Sequence, residues 1–445
     1  MINVYDIAYS IGLGLSAPVW LTVPRTRRKV MSALRERMGE VASRDLSDSA
    51  VMVHAVSVGE INATPALIQR LREMMPELRF IVSTTTQKGF EQGQRLYGKA
   101  PDVTLIRYPL DFSSGVQRVL DRLRPALVVL MELEVWPNFL RHCEQRNIPV
   151  IVANARMSTA SYRRYRWVRP LVTSMFRRVN RICAQNEEHA RRFIELGAAP
   201  DSVMIAGNMK FDTATIAHRI EGDADLAVAV GLFPGPQTIW VCGSTGPGEE
   251  ALILRVYRHL LGRFNRLRLV IVPRKHERFD EVAELIEAMR FRCVRRSSGQ
   301  PPIAGDSMVP PVVLGDTMGE LRKFYSIAEV VFVGRSLVDL GSKQHGSDMI
   351  EPAALAKPVV VGPWTGNFKD VMRKLHQAQG VLIAEDELQL QESIALLLDS
   401  PGQAMAIGQR AQAVVQREQG ATEQHARIIM ELLQNTQKRW PAIVK

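Results

Sequence analysis

At 445 residues, 46% of them hydrophobic and 23% charged, the chain is too long for one ordinary core and too apolar to be disordered, so two folded domains are expected. Its 57 Lys and Arg against 46 Asp and Glu leave a net charge of +11, which points to an anionic partner: nucleic acid, an acidic membrane surface or a phosphorylated small molecule. The four cysteines, Cys143, Cys183, Cys242 and Cys293, are scattered, with no C-x-x-C pair and no His at ligand spacing, which argues against a zinc site and a disulfide framework and suits a reducing compartment.

In chain order, Ile7–Val23 is mostly apolar and is followed at once by Arg25, Arg27, Arg28 and Lys29. A cleaved signal peptide carries its positive charge before the apolar run, so the order here is wrong for one. The run also falls short of the about 20 apolar residues of a comfortable span. It reads as a short signal-anchor or as a helix lying in the membrane interface, its basic cluster facing anionic lipid on the cytoplasmic side. A buried first helix of the globular fold is the plainer alternative. On the membrane reading, residues 1–30 are an anchor whose removal leaves the fold intact.

After residue 50, strand-like and helix-like segments alternate. Strands are expected at Ala50–Val53, Arg79–Ser83, Val103–Ile106, Ala126–Met131, Val150–Ala153, Arg181–Ala184 and Val203–Ala206. Helical stretches such as Gln87–Tyr97, Ser114–Leu123, Trp136–Gln145 and Glu187–Leu196 separate them. A largely helical connector follows over 208–230, then the break Phe233-Pro-Gly-Pro236. The rhythm resumes at Thr238–Cys242, Leu267–Val272, Val312–Leu314, Val330–Val333, Pro358–Val361 and Val381–Ile383, with a surface loop over Ser297–Pro311. This predicts an α/β protein of two doubly wound parallel sheets, with domains at 31–212 and 213–445 and amphipathic C-terminal helices, one of them returning to the first domain. Two such domains in tandem create a cleft between the carboxyl edges of their sheets.

Several strand ends carry chemistry. The first is followed by His54-Ala-Val-Ser57-Val-Gly59-Glu60 and a helix over Ile61–Met75. Gly59 is expected to turn the backbone tightly. Glu60 is either a good first-turn carboxylate or a catalytic one at the ligand-binding edge of a parallel sheet. His54, on the strand itself, reads as structural. Thr84-Thr85-Thr86 before Gln87-Lys88-Gly89 is an anion-holding turn or an ordinary N-cap. Glu132 and Glu134, at i and i+2 past an apolar strand, project together; like charges in a cleft raise one pKa, whereas on a loop they are solvated acids. Asn154-Ala-Arg156 and the run Tyr162–Trp167 form an anion-facing surface, which an RNA-binding or scaffolding protein would also show. Lys210 sits where the first domain closes.

In the second half, Cys242-Gly-Ser244-Thr245-Gly-Pro-Gly-Glu249 leads from a strand into a helix, and its hydroxyls are donors suited to phosphate at a helix N-terminus. It lacks the Gly-Lys-Ser/Thr of a P-loop and the spacing of G-x-G-x-x-G, so neither ATP hydrolysis nor NAD binding is supported. Arg274 and Lys275 set fixed cations at the next strand end, with His276 beside them. Asp348 and Glu351 come at the start of a late helix, where Glu351 is either an ordinary first-turn glutamate or an acceptor for the two hydroxyls of a ribose.

Taken together, His54–Glu60, Met131–Asn138, Asn208–Lys210, Gly243–Thr245, Pro273–His276 and Glu351-Pro-Ala353 resemble, in order, motifs of the 3-deoxy-D-manno-oct-2-ulosonic acid (Kdo) transferases, glycosyltransferase family 30, which build the inner core of lipopolysaccharide. The match runs from the N-terminal segment to about Lys369, with Gly362-Pro363 and Asn367-Phe368. The resemblance implies the GT-B arrangement, two Rossmann-like domains facing across a cleft. It implies inverting transfer of Kdo from CMP-Kdo to a lipid A precursor at the cytoplasmic face of the inner membrane, with no metal, no cofactor and no nucleic-acid partner. On it, Glu60 is the general base, and Glu132 or Glu134 positions acceptor or donor beside Ser57 and Gly59. Lys210, Ser244, Thr245 and Arg274, with Lys275, His276 and Asp348 near them, hold the donor, and Glu351 binds the ribose. The chain departs from the family's Gly-Gly-His-Asn segment: the region Asp339–Asp348 is longer, has Asp348 where Asn is usual, and offers His345 at an offset position. A GT-B nucleotide-sugar transferase with another donor or acceptor is the alternative from the same class.

Overall fold

The computed structural model describes residues 3–22, 34–44, 48–299, 309–341 and 344–439. The apolar runs of the first half become seven strands: β1 (Ala50–His54), β2 (Arg79–Thr84), β3 (Val103–Arg107), β4 (Leu127–Met131), β5 (Val150–Ala155), β6 (Arg181–Ala184) and β7 (Val203–Ile205). They lie side by side in the order β3-β2-β1-β4-β5-β6-β7, every pair parallel. Both faces of the sheet are covered, so neighbouring residues along a strand are buried in different cores. Met52, Leu130 and Val152 pack with Val116, Phe139 and Phe176. Val51, Val53 and Val129 pack with Leu67, Ile68, Ile429 and Leu433. This two-sided burial is why these strands read as continuous apolar runs rather than as an alternation.

The second half repeats the plan. Strands β8 (Thr238–Thr245), β9 (Leu267–Pro273), β10 (Cys293–Arg295), β11 (Val312–Leu314), β12 (Val330–Val333), β13 (Val359–Val361) and β14 (Leu382–Ile383) form a second parallel sheet, ordered β10-β11-β9-β8-β12-β13-β14. Its strands and helices bury Trp240, Tyr257, Phe332 and Leu390 in one core. In each sheet the strand order reverses beside the first strand, between β1 and β4 and between β8 and β12. Such switch points are where open α/β sheets leave a crevice for ligands.

The chain divides into one unit of residues 1–213 with 419–445 and another of 214–418. The first is closed by the helix Ala421–Arg439, whose buried His425 accepts the Asn154 N–H on Nε2 (2.9 Å) and donates from Nδ1 to Ala421 O (2.6 Å). Burial holds His425 below its usual pKa, in keeping with a neutral ring.

Some of the expected elements change. The stretch after β1 is not one helix over Ile61–Met75 but a short turn of helix, Val58–Ile61, and a second helix, Thr64–Met74, started by Pro65. Strand β10 has no counterpart among the expected strands. The Ser297–Pro311 segment opens with a 3₁₀ turn, Arg296–Ser298, and 300–308 of it lie outside the described residues, as do Val23 and the basic cluster Arg25–Lys29.

The N-terminal apolar run is helical over Val4–Thr22. Among the described residues no helix is long and apolar enough to cross a membrane. Its first turn is built into the first unit. Asp6 Oδ1 accepts the Ser113 N–H (2.8 Å) and Asn138 Nδ2–H (3.1 Å), so Asp6 caps the helix Ser113–Leu123, whose own N-cap residue Phe112 supplies no side-chain bond. Asn3 Nδ2 donates to Ser113 Oγ (2.9 Å) and Asn138 Oδ1 (2.7 Å), and Tyr9 donates to Asp111 (3.0 Å). The expectation that residues 1–30 are dispensable for the fold is therefore corrected: their removal strips partners from buried N–H groups. Val4, Ile7, Ile11 and Leu15, at helical spacing, stay exposed on one side.

Candidate active site

At the first switch point, β1 ends at His54 and β4 at Met131, paired as neighbours. His54 is a core residue. It stacks on Tyr108 with ring centroids 3.7 Å apart, its Nδ1 lies 3.0 Å from Ser83 Oγ, and burial lowers its pKa to about 3. Ser57 caps the short helix by accepting the Glu60 N–H (3.3 Å) and donates its hydroxyl to Glu60 Oε1 (2.8 Å), while Val56 N–H donates to Oε2 (3.0 Å). This is a reciprocal cap of the Ser-x-x-Glu kind. Both readings of Glu60 thus meet in one side chain, because the carboxylate is also half-buried beside other acids. Burial first, and then Glu132, hold it above the usual carboxylate range. Gly59 does not make the expected tight turn: it is helical, has no positive φ, and a Cβ there would meet only Ser57 Oγ at 3.8 Å.

Glu132 follows β4 in a left-handed conformation (φ 57°), with its N–H donated to Ala153 O (2.9 Å) and its carboxylate accepting from Arg156 Nε (2.8 Å). A non-glycine residue held at positive φ is a local cost that marks candidate functional positions. Glu134 accepts from Trp136 Nε1 (3.1 Å), and burial, then the Glu60 charge, push it up to about 7. Ser57, Glu60, Glu132 and Glu134 are therefore brought together. The Thr84–Thr86 turn follows the plainer reading in part: Thr86 caps the next helix by accepting the Gly89 N–H (3.1 Å) and donates to Val56 O (2.9 Å). Lys210 lies in the 3₁₀ turn Met209–Thr213, fixed by Met209 N–H to Asn154 Oδ1 (3.1 Å) and Lys210 N–H to Asn208 Oδ1 (3.1 Å). In the basic-aromatic run, Tyr162 and Tyr165 pack against the core. That turns two of its rings away from base stacking and weakens the RNA reading.

The second unit's switch point gathers Ser244, Arg274, Asp348 and Glu351. Ser244 has φ 57°, and Arg274 N–H donates to Thr245 O (3.1 Å). Burial, with Asp348 adding, pushes Glu351 up to about 7, while Arg322 and Arg274 oppose the rise. Asp348 Oδ1 accepts the Ile350 N–H (2.9 Å). Thr245 is not a free donor at a helix N-terminus. It is 1% exposed, and its hydroxyl donates to Glu250 (2.7 Å), which also receives both ends of the Arg278 guanidinium (2.6 and 3.1 Å). Lys275 and His276 are exposed, with His276 Nδ1 3.1 Å from Glu277. His345 pairs with Asp339 (2.7 Å) and packs by Trp364.

Sequence reasoning missed Glu249. Its buried carboxylate accepts four backbone N–H groups, from Gly246 (2.8 Å), Arg335 (2.6 Å), Ser336 (2.8 Å) and Leu337 (2.9 Å), and so ties the loop after β12 to the turn after β8. The only signal was an acid at a helix start, which is commonplace. Among the described residues, no group of three or more His, Cys, Asp or Glu is arranged to hold a metal ion.

Residues 32–213 match the family described as 3-deoxy-D-manno-octulosonic-acid transferase (kdotransferase). The chain is 33% identical over 402 residues to a 3-deoxy-D-manno-octulosonic acid transferase of Haemophilus influenzae, covering 90% of each chain. It is 32% identical over 429 residues to the transferase of that name from Bordetella pertussis, covering 93% of this chain and 96% of the other. In fold it is similar to the UDP-GlcNAc 2-epimerase of Neisseria meningitidis, with a TM-score of 0.57 at 14% identity over 87% of this chain and 100% of that one. Whole-length identity at this level, with the strand-end motifs in place, makes the chain a member of the 3-deoxy-D-manno-octulosonic acid transferase family.

Proposed function

We propose that this chain is an inverting GT-B glycosyltransferase that moves Kdo from CMP-Kdo to a lipid A precursor, at the cytoplasmic face of the inner membrane, in building the inner core of lipopolysaccharide. The observation that carries this reading is the carboxylate group at the ends of β1 and β4, with Glu60 oriented by Val56 N–H and Ser57 Oγ–H and raised above its ordinary pKa by burial and Glu132. A carboxylate so raised is a stronger base than an exposed one and has less of its proton affinity spent on solvent. Glu60 takes the proton of the acceptor hydroxyl as that oxygen attacks the anomeric carbon. The bond from that carbon to the phosphate oxygen breaks, and CMP leaves with the electron pair. Glu134, near half-protonated around neutrality, donates to or accepts from the acceptor sugar, and Glu132, braced by Arg156, fixes the loop.

Ser244 and Arg274, with Lys275 and His276 nearby, stabilise the charge that grows on the leaving phosphate, the largest kind of catalytic contribution available without covalent chemistry. Glu351 and Asp348 bind the ribose, and Thr245 contributes through Glu250 by keeping the turn in shape. The net charge of +11 supports a phosphorylated glycolipid acceptor and an anionic membrane surface. So do the exposed side of the first helix and, elsewhere in the same unit, Trp167, 88% exposed, with Val168 and Leu171 among Arg163, Arg164, Arg166 and Arg169. The test is transfer by the purified full-length protein, supplied with CMP-Kdo and a tetraacylated lipid A precursor and, in parallel, with UDP-sugars. A product heavier by one or more Kdo units is expected. Transfer from a UDP-sugar and none from CMP-Kdo would overturn the donor assignment.

A further inference from the structure

The turn after β8 leads into the helix Glu249–Leu261, and the Glu249 carboxylate in its first turn already occupies the N–H groups of Gly246, Arg335, Ser336 and Leu337 around it. An anion brought to this switch point must therefore be held by side chains more than by the helix end. Arg335 stands in place to do it. It is the second residue past β12, the strand paired with β8 through Val333 and Gly243. Its backbone is left-handed (φ 58°), a conformation disfavoured for any residue with a Cβ. It is pinned there by Arg335 N–H to Glu249 (2.6 Å) and Gly346 N–H to Arg335 O (2.6 Å).

The stem of Arg335 runs over Gly246. A Cβ added to that glycine would stand 3.0 Å from Arg335 Cγ, so the glycine is needed for close approach rather than for its own φ. Among the described residues, the buried Nε of Arg335 has no hydrogen-bond partner and its guanidinium has no ion-pair partner. Burial and the like charge of Arg274 both depress its proton affinity, and the nearby Glu249 opposes them only in part. Arg274, whose N–H donates to Thr245 O (3.1 Å), and Arg335, whose stem covers Gly246, thus flank one turn, and two cations set there, one in a strained backbone, are explained by an anion that bridges them.

We infer that Arg335 is a second phosphate-binding residue, which with Arg274 clamps the phosphate of the nucleotide donor over the Ser244–Gly246 turn. This rests on the CMP-Kdo reading and deepens it. Arginine suits the task because its planar fork of donors matches phosphate oxygens two at a time.

Two variants of the full chain test it, Arg335→Gly and Arg335→Lys, with CMP, cytidine and free Kdo as calorimetric probes. Glycine accepts the left-handed backbone without strain, so Arg335→Gly should melt no lower than the parent. Losing one charge-assisted contact should weaken CMP binding by about 10- to 100-fold. Cytidine, which has no phosphate, should bind as before, and Arg335→Lys should fall between. If the parent binds CMP and Arg335→Gly binds it equally well, the inference fails while the donor reading stands. Equal losses for CMP and cytidine, or a loss confined to free Kdo, would also overturn the phosphate assignment. If the parent binds no CMP at all, the donor reading itself falls, and the inference with it.

Discussion

Glu60→Gln removes one charge while keeping the shape of the side chain. The amide oxygen can still accept the Val56 N–H, and the amide NH₂ can donate to Ser57 Oγ, replacing the bonds of 3.0 and 2.8 Å that orient the carboxylate. The fold and CMP binding should therefore survive. An amide cannot take a proton from the acceptor hydroxyl, and losing a positioned general base costs about 10²- to 10⁴-fold in rate. At 1.36 kcal/mol per tenfold, that is about 3–5 kcal/mol of barrier. Single-turnover transfer from CMP-Kdo measures it directly. The pH profile adds a second readout. The base works only when ionised, so the parent's rate should rise with pH through the pKa of Glu60, which burial and Glu132 place above that of an exposed glutamate. The residual rate of Glu60→Gln should lack that limb. The Glu60 charge is also one of the causes holding Glu134 near 7, so Glu134 should titrate lower in the variant. Near-normal turnover, or a retained acid limb, would remove Glu60 from the chemistry and make Glu134 the next candidate.

Glu134 rises from an ordinary 4.5 to about 7 in the folded protein, so the folded state holds that proton more tightly than the unfolded chain, and stability is lost as pH climbs between those values. Glu134→Gln should thus melt higher than the parent at pH 8 and match it at pH 4; parallel curves at both would refute the burial argument. Asp6→Ala leaves Ser113 N–H and Asn138 Nδ2–H without their acceptor and should cost about 2–4 kcal/mol in urea unfolding. Ile11→Asp, on the exposed side of the same helix, should leave stability alone but reduce sedimentation with anionic vesicles. Glu249→Ala removes the acceptor of four backbone N–H groups, three of them buried, and should destabilise the second unit by about 4 kcal/mol or more, with early proteolytic cuts near residues 334–340.

What was legible followed from how each residue is buried. Leu127–Met131 and Val330–Val333 announce themselves because both faces of a parallel sheet are covered and every position must be apolar. Strand β10 did not, being three residues long at a sheet edge, with Cys293 and Arg295 only half-buried. At the site, residue types at strand ends were readable, but their partners were not. Nothing in Ser244-Thr245 tells that one hydroxyl is spent on a buried glutamate five residues on. Arg335 lies in Gly-Arg-Ser, which has no marked spacing; its meaning comes from a left-handed backbone and from Gly246, far away in sequence. Glycine at position 59 suggests a tight turn, yet the cap made by Ser57 bends the chain there without help from a positive φ.

The helix Ala421–Arg439 is the last piece of the first unit, although 205 residues of the second unit separate it from Thr213. Ala426, Ile429, Met430 and Leu433 on it belong to the same core as β1 and β4. On the ribosome, that core stays open on one side until the residues after 418 have been made. At about 5–20 residues per second, the wait after residue 213 is roughly 10–50 s. The second unit is continuous in sequence and has every part it needs before the first is finished. The order of completion is thus the reverse of the order of synthesis, and a transcript truncated before codon 421 would yield a well-formed second unit attached to a first unit with an exposed greasy flank, a natural substrate for chaperones and proteases.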